Sequence, residues 1–156
     1  MKKISRVFMV VVLLLIGLTL TGCKNKTAIS SSDFESKMKA KDFITSNATN
    51  QFAGTEGIIN VILAAPQDKL FQIEFYEVST EEQAVSSYNL NKSNFELVKA
   101  SDSSYNEVNA ANYSKYTLNS NGKFMVVSRI ENTFIYINVE QQYKDTVNKI
   151  LNELGY

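Results

Sequence analysis

The most regular hydrophobic pattern lies in the last part of the chain. Its apolar residues recur at Tyr143, Val147, Ile150, Leu151 and Leu154. An i, i+4, i+7, i+8, i+11 spacing places them on one face of a helix. Gly155 then follows at the position where helices commonly end in the left-handed conformation. The pattern predicts a final helix that packs one face against a core.

Three segments before this helix have the alternating pattern of strands. They are residues 114–119, 123–130 and 133–139. Asn121-Gly122 joins the first two and is typical of a two-residue hairpin turn, and Glu131-Asn132 joins the next pair. We therefore predict three consecutive antiparallel strands.

The first half of the domain predicts a hairpin flanked by helices. Apolar runs at 58–65 and 70–78 surround the turn sequence Pro66-Gln67-Asp68-Lys69. A helix with apolar Ala84, Val85 and Tyr88 follows, and an earlier one begins at Ser32 with capping-box spacing. Residues 89–112 show no regular pattern.

Together these elements predict an α+β fold in the order α-β-β-α-β-β-β-α. The simplest packing is a single mainly antiparallel sheet with the helices on one face, so that the sheet buries one face only. A hairpin followed by a helix occurs twice, at 58–88 and 123–154, which suggests a ββα duplication.

The beginning of the chain has the organisation of an export signal. Lys2, Lys3 and Arg6 precede fourteen mostly apolar residues, 7–20. A membrane-spanning helix needs about 20 apolar residues, so this run predicts a signal peptide and an exported domain.

Leu20-Thr21-Gly22-Cys23 resembles the lipobox of bacterial lipoproteins. The resemblance implies cleavage between Gly22 and Cys23, and a diacylglycerol thioether on Cys23 that anchors the protein to the membrane. The predicted divisions are a signal peptide over 1–22, lipidated Cys23 with a polar tether over 23–32, and a globular domain over 33–156. The alternative is a plain signal peptide or short anchor with an incidental cysteine. Beyond the motif, the chain resembles small lipoproteins of low-GC Gram-positive bacteria.

Composition excludes several kinds of site. The chain has no histidine and one cysteine, which rules out Ser–His–Asp and Cys–His catalysis, histidine zinc sites and an intrachain disulfide. From Cys23 onward 13 basic and 16 acidic residues give a formal net charge of −3, which argues against a nucleic-acid partner. We predict no metal, no cofactor and no catalytic residue.

Few residues remain as candidates for a site. Tyr105, Tyr113 and Tyr116 lie in polar sequence and form a candidate binding surface; the alternative is burial in the core. Glu74 and Glu77 could act as an acid–base pair, but their offset of three places them on opposite faces of a strand. Arg129 is expected to pair with Glu131 or Glu74.

Two functions follow from these features. The first is a membrane-anchored extracytoplasmic lipoprotein that acts as a non-enzymatic binding module for an envelope protein or a wall polymer. The second is a small carboxylate-dependent hydrolase of cell-wall or sugar polymers, which would need two convergent carboxylates about 5–10 Å apart.

Overall fold

A computed structural model describes residues 25–156, so the predicted signal peptide, Gly22 and Cys23 lie outside the described residues. The helices are α1 (Ser31–Lys39), α2 (Glu81–Leu97) and α3 (Lys144–Leu154). The strands are β1 (Ile44–Asn47), β2 (Ile58–Ala65), β3 (Ile73–Val78), β4 (Ser104–Asn109), β5 (Tyr113–Ser120), β6 (Lys123–Ile130) and β7 (Thr133–Glu140). Within 25–156, no helix is long and apolar enough to cross a bilayer.

The seven strands form one antiparallel sheet in the order β1-β2-β3-β7-β6-β5-β4. Its centre joins strands far apart in sequence, because β3 pairs with β7 with Ile73 opposite Ile137. Asn121 and Gly122 both have positive φ, as the predicted hairpin turn between β5 and β6 requires. The predicted α+β class with a single antiparallel sheet is confirmed.

The helices lie on both faces of this sheet, and the prediction that they share one face is wrong in that detail. Helices α1 and α3 pack on the face of Phe75 and Ile137. Helix α2 packs on the other face, where Tyr88 contacts the cluster that includes Val127. The reason is that the central strands are apolar on both faces; in β6, seven of eight residues are buried. The domain therefore has three layers.

The strand order is consistent with a duplication, but the faces on which the helices lie are not. A two-fold axis normal to the sheet would relate β2-β3 to β6-β7 and leave each face in place. It would put α2 and α3 on the same face, whereas they lie on opposite faces. The structure gives the predicted ββα duplication no support.

Two strands and half a helix lie in segments that the sequence pattern left unassigned. Strand β4 occupies part of 89–112, and five of its six residues are exposed, which removes the alternation that marks a half-buried strand. Helix α2 continues to Leu97, because Phe95 packs against the sheet although its neighbours are polar. Strand β1 is only four residues long.

The segment predicted as a tether joins the domain earlier than Ser32. The Lys26 backbone N–H donates to Asn112 Oδ1 at 3.3 Å, and Asn112 Nδ2 donates to the Lys26 carbonyl at 2.6 Å. Ala28 and Ile29 pack against the core. Ser30, rather than Ser32, caps α1 by accepting the Asp33 N–H at 3.1 Å. The domain boundary is therefore corrected from residue 33 to about residue 26.

Candidate functional site

The three tyrosines predicted as a binding surface do not form one. Tyr105 is 58% exposed and stacks on Tyr116, which is fully buried on the α2 face of the sheet. Tyr113 is buried on the opposite face, where Lys26 Nζ lies 3.8 Å from its ring centroid. Core packing accounts for Tyr113 and Tyr116, and Tyr105 is the one that remains on the surface.

Arg129 is 3% exposed, and its partner differs from both predicted carboxylates. Its Nη1 donates to Glu81 Oε1 at 2.7 Å and to the main-chain oxygen of Glu131 at 3.3 Å. Glu81 lies in the first turn of α2. The pair links α2 to β6. Glu81 was not among the predicted partners because no helix had been predicted on this face of the sheet.

The far half of α2 is held to β4 by a second ion pair. Lys92 Nζ donates to both Glu107 oxygens at 2.7 Å. This contact holds the pKa of Glu107 below its usual range, while burial and the nearby Glu107 raise the pKa of Tyr88. Such a partly exposed pair contributes about 0–1 kcal/mol, so we assign it to stability rather than chemistry.

A groove of about 280 Å³ opens on the α2 face of the sheet. Strands β3 and β7 form its floor, and α2 and the 3₁₀ turn at Thr49–Phe52 form its walls. We call it the aromatic groove, lined by Phe52, Thr55, Ile58, Glu74, Tyr76, Ser87, Leu90, Asn91, Phe134 and Tyr136.

Aromatic rings packed against one another form the floor of the aromatic groove. The rings of Tyr76 and Phe134 stack at 4.5 Å with an angle of 3° between their planes. Phe52 meets Tyr76 edge-on at 5.6 Å. Strand pairing sets this arrangement, because Tyr76 lies directly opposite Phe134. A site built on paired strands is held ready for a ligand before the ligand arrives.

Glu74 supplies the charge in the aromatic groove. Its Oε2 accepts a hydrogen bond from Tyr76 Oη at 2.5 Å, and its Oε1 accepts one from Gln72 Nε2 at 3.0 Å. Burial and this contact with Glu74 raise the pKa of Tyr76, so the phenol stays a neutral donor. Among residues 25–156, no lysine or arginine forms a salt bridge with Glu74.

The carboxylates of β3 do not converge. Glu74 lines the aromatic groove, whereas Glu77 lies on the opposite face and accepts a hydrogen bond from Asn60 at 3.1 Å. The two side chains lie on opposite faces, as their separation by three positions along the strand predicts. Glu74 is the one acid among the groove's lining residues, and 25–156 contains no cluster of three side chains suited to a metal ion.

The sequence pattern alone did not point to this groove. Glu74 looks like a solvated position in an alternating strand, and nothing in the predicted strand 133–139 marks Tyr136 as part of a site. Only the pairing of β3 with β7 brings Glu74 opposite Tyr136. The available signal was that two predicted strands each contain two aromatic residues, Phe75 and Tyr76 in one and Phe134 and Tyr136 in the other. This similarity could have suggested that the two strands are neighbours.

The chain matches no known family model and no curated protein sequence. Among solved structures it has a distant likeness to the extracellular domain of PknH from Mycobacterium tuberculosis, with 11% identity and a TM-score of 0.37. The match covers 81% of this chain and 92% of that one. A TM-score this low supports no conclusion about fold or function.

Proposed function

We propose that this protein is a lipid-anchored extracytoplasmic binding protein without enzymatic activity. The support for the anchor is the sequence from Lys2 to Cys23: a basic start, a short apolar run and a lipobox-like ending on the only cysteine. Two acyl chains hold a protein on a membrane far more firmly than one, so a diacylglycerol group at Cys23 would suffice as an anchor.

Cys23→Ser should abolish lipid attachment and prevent processing of the leader. The reason is that the thiol is the only group in the chain that can form the thioether. Growing cells with a fatty-acid probe and measuring its incorporation into the immunoprecipitated protein tests this. Equal labelling of the wild type and the variant would show that the motif is incidental.

The ligand site that we propose is the aromatic groove. The single observation that carries this proposal is a carboxylate, Glu74, that has no cationic partner and lies beside aromatic rings. An ammonium group pairs directly with a carboxylate, and the partly exposed ring of Tyr136 opposite Glu74 can add a cation–aromatic contact of about 0.5–2 kcal/mol. We infer that the groove binds an organic ammonium group attached to a small apolar body.

The size of the groove limits that ligand. Sites for drug-sized ligands span about 300–1,000 Å³, so a groove of about 280 Å³ has room for one ring or a short aliphatic chain. A carboxylate-dependent hydrolase would need a second acid directed at the same bond. Because Glu74 has no such companion among the lining residues, binding is the function that the groove supports better.

Glu74→Gln should weaken binding of phenethylammonium about tenfold, since the amide keeps the shape of the side chain and removes its charge. Isothermal titration calorimetry on the full chain in detergent measures this. Neutral 2-phenylethanol should bind weakly to both forms.

Glu77→Gln is the matched control, because it removes the same charge from the same strand on the opposite face. Binding that Glu74→Gln leaves unchanged, or that Glu77→Gln reduces equally, would contradict a specific role for the groove carboxylate.

A further inference from the structure

The face of the sheet that carries α1 and α3 contains a second groove, of about 310 Å³. It lies between the first half of α3 and strands β4, β5 and β6, so the sheet itself separates it from the aromatic groove. We call it the lysine groove, lined by Ser104, Tyr105, Asn106, Lys115, Thr117, Asn119, Phe124, Lys144 and Asn148.

The charge of the lysine groove differs from that of the domain around it. Residues 25–156 contain 12 basic and 16 acidic residues, so 12 − 16 gives a formal net charge of −4. The lining of the groove nevertheless contains two lysines and no carboxylate. A local positive potential on an otherwise acidic surface attracts an anionic ligand to this place in particular.

No aspartate or glutamate side chain of the described residues pairs with the lysines of this groove. Among the described residues, neither Lys115 nor Lys144 forms a salt bridge. Lys115 Nζ donates to the main-chain oxygen of Tyr156 at 3.3 Å, and Lys144 Nζ lies 5.8 Å from the ring centroid of Phe124. Burial and the nearby charge of Lys26 lower the pKa of Lys115, which is the effect that an arriving anion would relieve.

Neutral hydrogen-bonding groups also line the lysine groove, on the same strand as Lys115. Lys115, Thr117 and Asn119 point to the same face of β5, and four residues of strand span about 13 Å. Asn119 Nδ2 donates to Ser104 Oγ at 3.2 Å, while Asn119 Oδ1 is buried without a protein donor. A ligand hydroxyl is the kind of group that would satisfy this oxygen.

The polar lining continues past the end of the groove. A neighbouring cavity of about 290 Å³ shares Ser104 and Asn119 with it, and adds Ser120, Asn121, Gln141 and one carboxylate, Asp102. Hydroxyl and amide side chains with little apolar surface suit a ligand that is itself rich in hydroxyl groups, rather than an apolar one.

We propose that the lysine groove binds a sugar phosphate or polyol phosphate. Lys115 and Lys144 pair with the phosphate oxygens, and the amide and hydroxyl side chains bind the hydroxyl groups of the ligand. Phosphate recognition by lysine depends on charge rather than on a fixed fork geometry, which fits two flexible ammonium groups at separate points of the groove. This site is independent of the ammonium site proposed above, because the two lie on opposite faces of the sheet.

Titration calorimetry on the full chain in detergent tests the proposal with glycerol 3-phosphate as the probe. Glycerol has only the hydroxyl groups of this probe, and inorganic phosphate has only its phosphate. Each is therefore expected to bind at least tenfold more weakly. A poly(glycerol phosphate) chain distinguishes a polymer from a free metabolite as the source of the ligand. Tighter binding of the polymer per phosphate group favours the polymer, and equal binding favours the small molecule.

Lys144→Gln should weaken binding of glycerol 3-phosphate about tenfold, and Lys115→Gln should do so as well. Lys149→Gln is the matched control, because Lys149 is exposed on the same helix and outside the groove. Thermal unfolding followed by circular dichroism verifies that each variant is folded. Inorganic phosphate binding as tightly as the ester, or all three variants losing affinity equally, would overturn the proposal.

Discussion

Replacing Val147 and Leu151 together with alanine should lower the free energy of unfolding by about 4–7 kcal/mol. Both side chains are fully buried in the cluster that α3 forms with the sheet. The loss combines the transfer energy of the removed methyl groups with the cavity that they leave. Domains of this size have about 5–15 kcal/mol of net stability, so the double variant should lose a large part of it.

Urea denaturation followed by circular dichroism measures this change. Asn152→Ala is the matched control, because Asn152 is exposed on the opposite face of α3. The control should shift the midpoint little, because an exposed side chain contributes little to packing and alanine has a higher helix propensity than asparagine. An unchanged midpoint for the double variant would contradict the packing of this face of α3 against the sheet.

Tyr156→Ala should cost about 3–5 kcal/mol, which is the range for removing a buried aromatic ring. Tyr156 is 2% exposed, and its ring meets Phe75 edge-on at 6.5 Å. Its hydroxyl also forms a buried hydrogen bond with Thr133 Oγ1. The residue therefore closes the core between α3 and the sheet, although it lies beyond the last residue of the helix.

Tyr156→Phe separates the ring from the hydroxyl. Thr133 Oγ1 also donates to the Ile130 carbonyl at 2.8 Å, so it keeps one partner when the phenol is lost. The phenylalanine variant should therefore lose only about 0.5–1.5 kcal/mol. If alanine and phenylalanine destabilise the protein equally in urea, the stabilisation comes from the hydrogen bond and not from packing.

The sequence predicted the parts of the fold that have short-range signals. The stripe on α3, the left-handed Gly155 and the turn at Asn121-Gly122 were each readable within a window of about a dozen residues, and each is present. The helix that follows the first hairpin was also predicted. Thr80 forms the capping box with Gln83.

The parts that could not be predicted depend on which strands become neighbours. Pairing of β3 with β7 joins residues about sixty positions apart, and it decides that Glu74 lies opposite Tyr136. The same pairing brings strands that are apolar on both faces, such as β6, to the centre of the sheet, which calls for a helix on each face. Local patterns contain no information about that choice, so both the three-layer arrangement and the aromatic groove were missed.

The fixing of Lys26 to Asn112 bears on how freely the domain could move above a bilayer. Three residue steps separate Cys23 from Lys26, and an extended chain covers at most about 11 Å in that distance. A tether free to Ser32 would have reached about 32 Å. With the proposed anchor, the domain could therefore rotate about its attachment point but could not move far from the membrane. The edge near Asn112 would stay within about a nanometre of the headgroups. Partners would have to approach from the side.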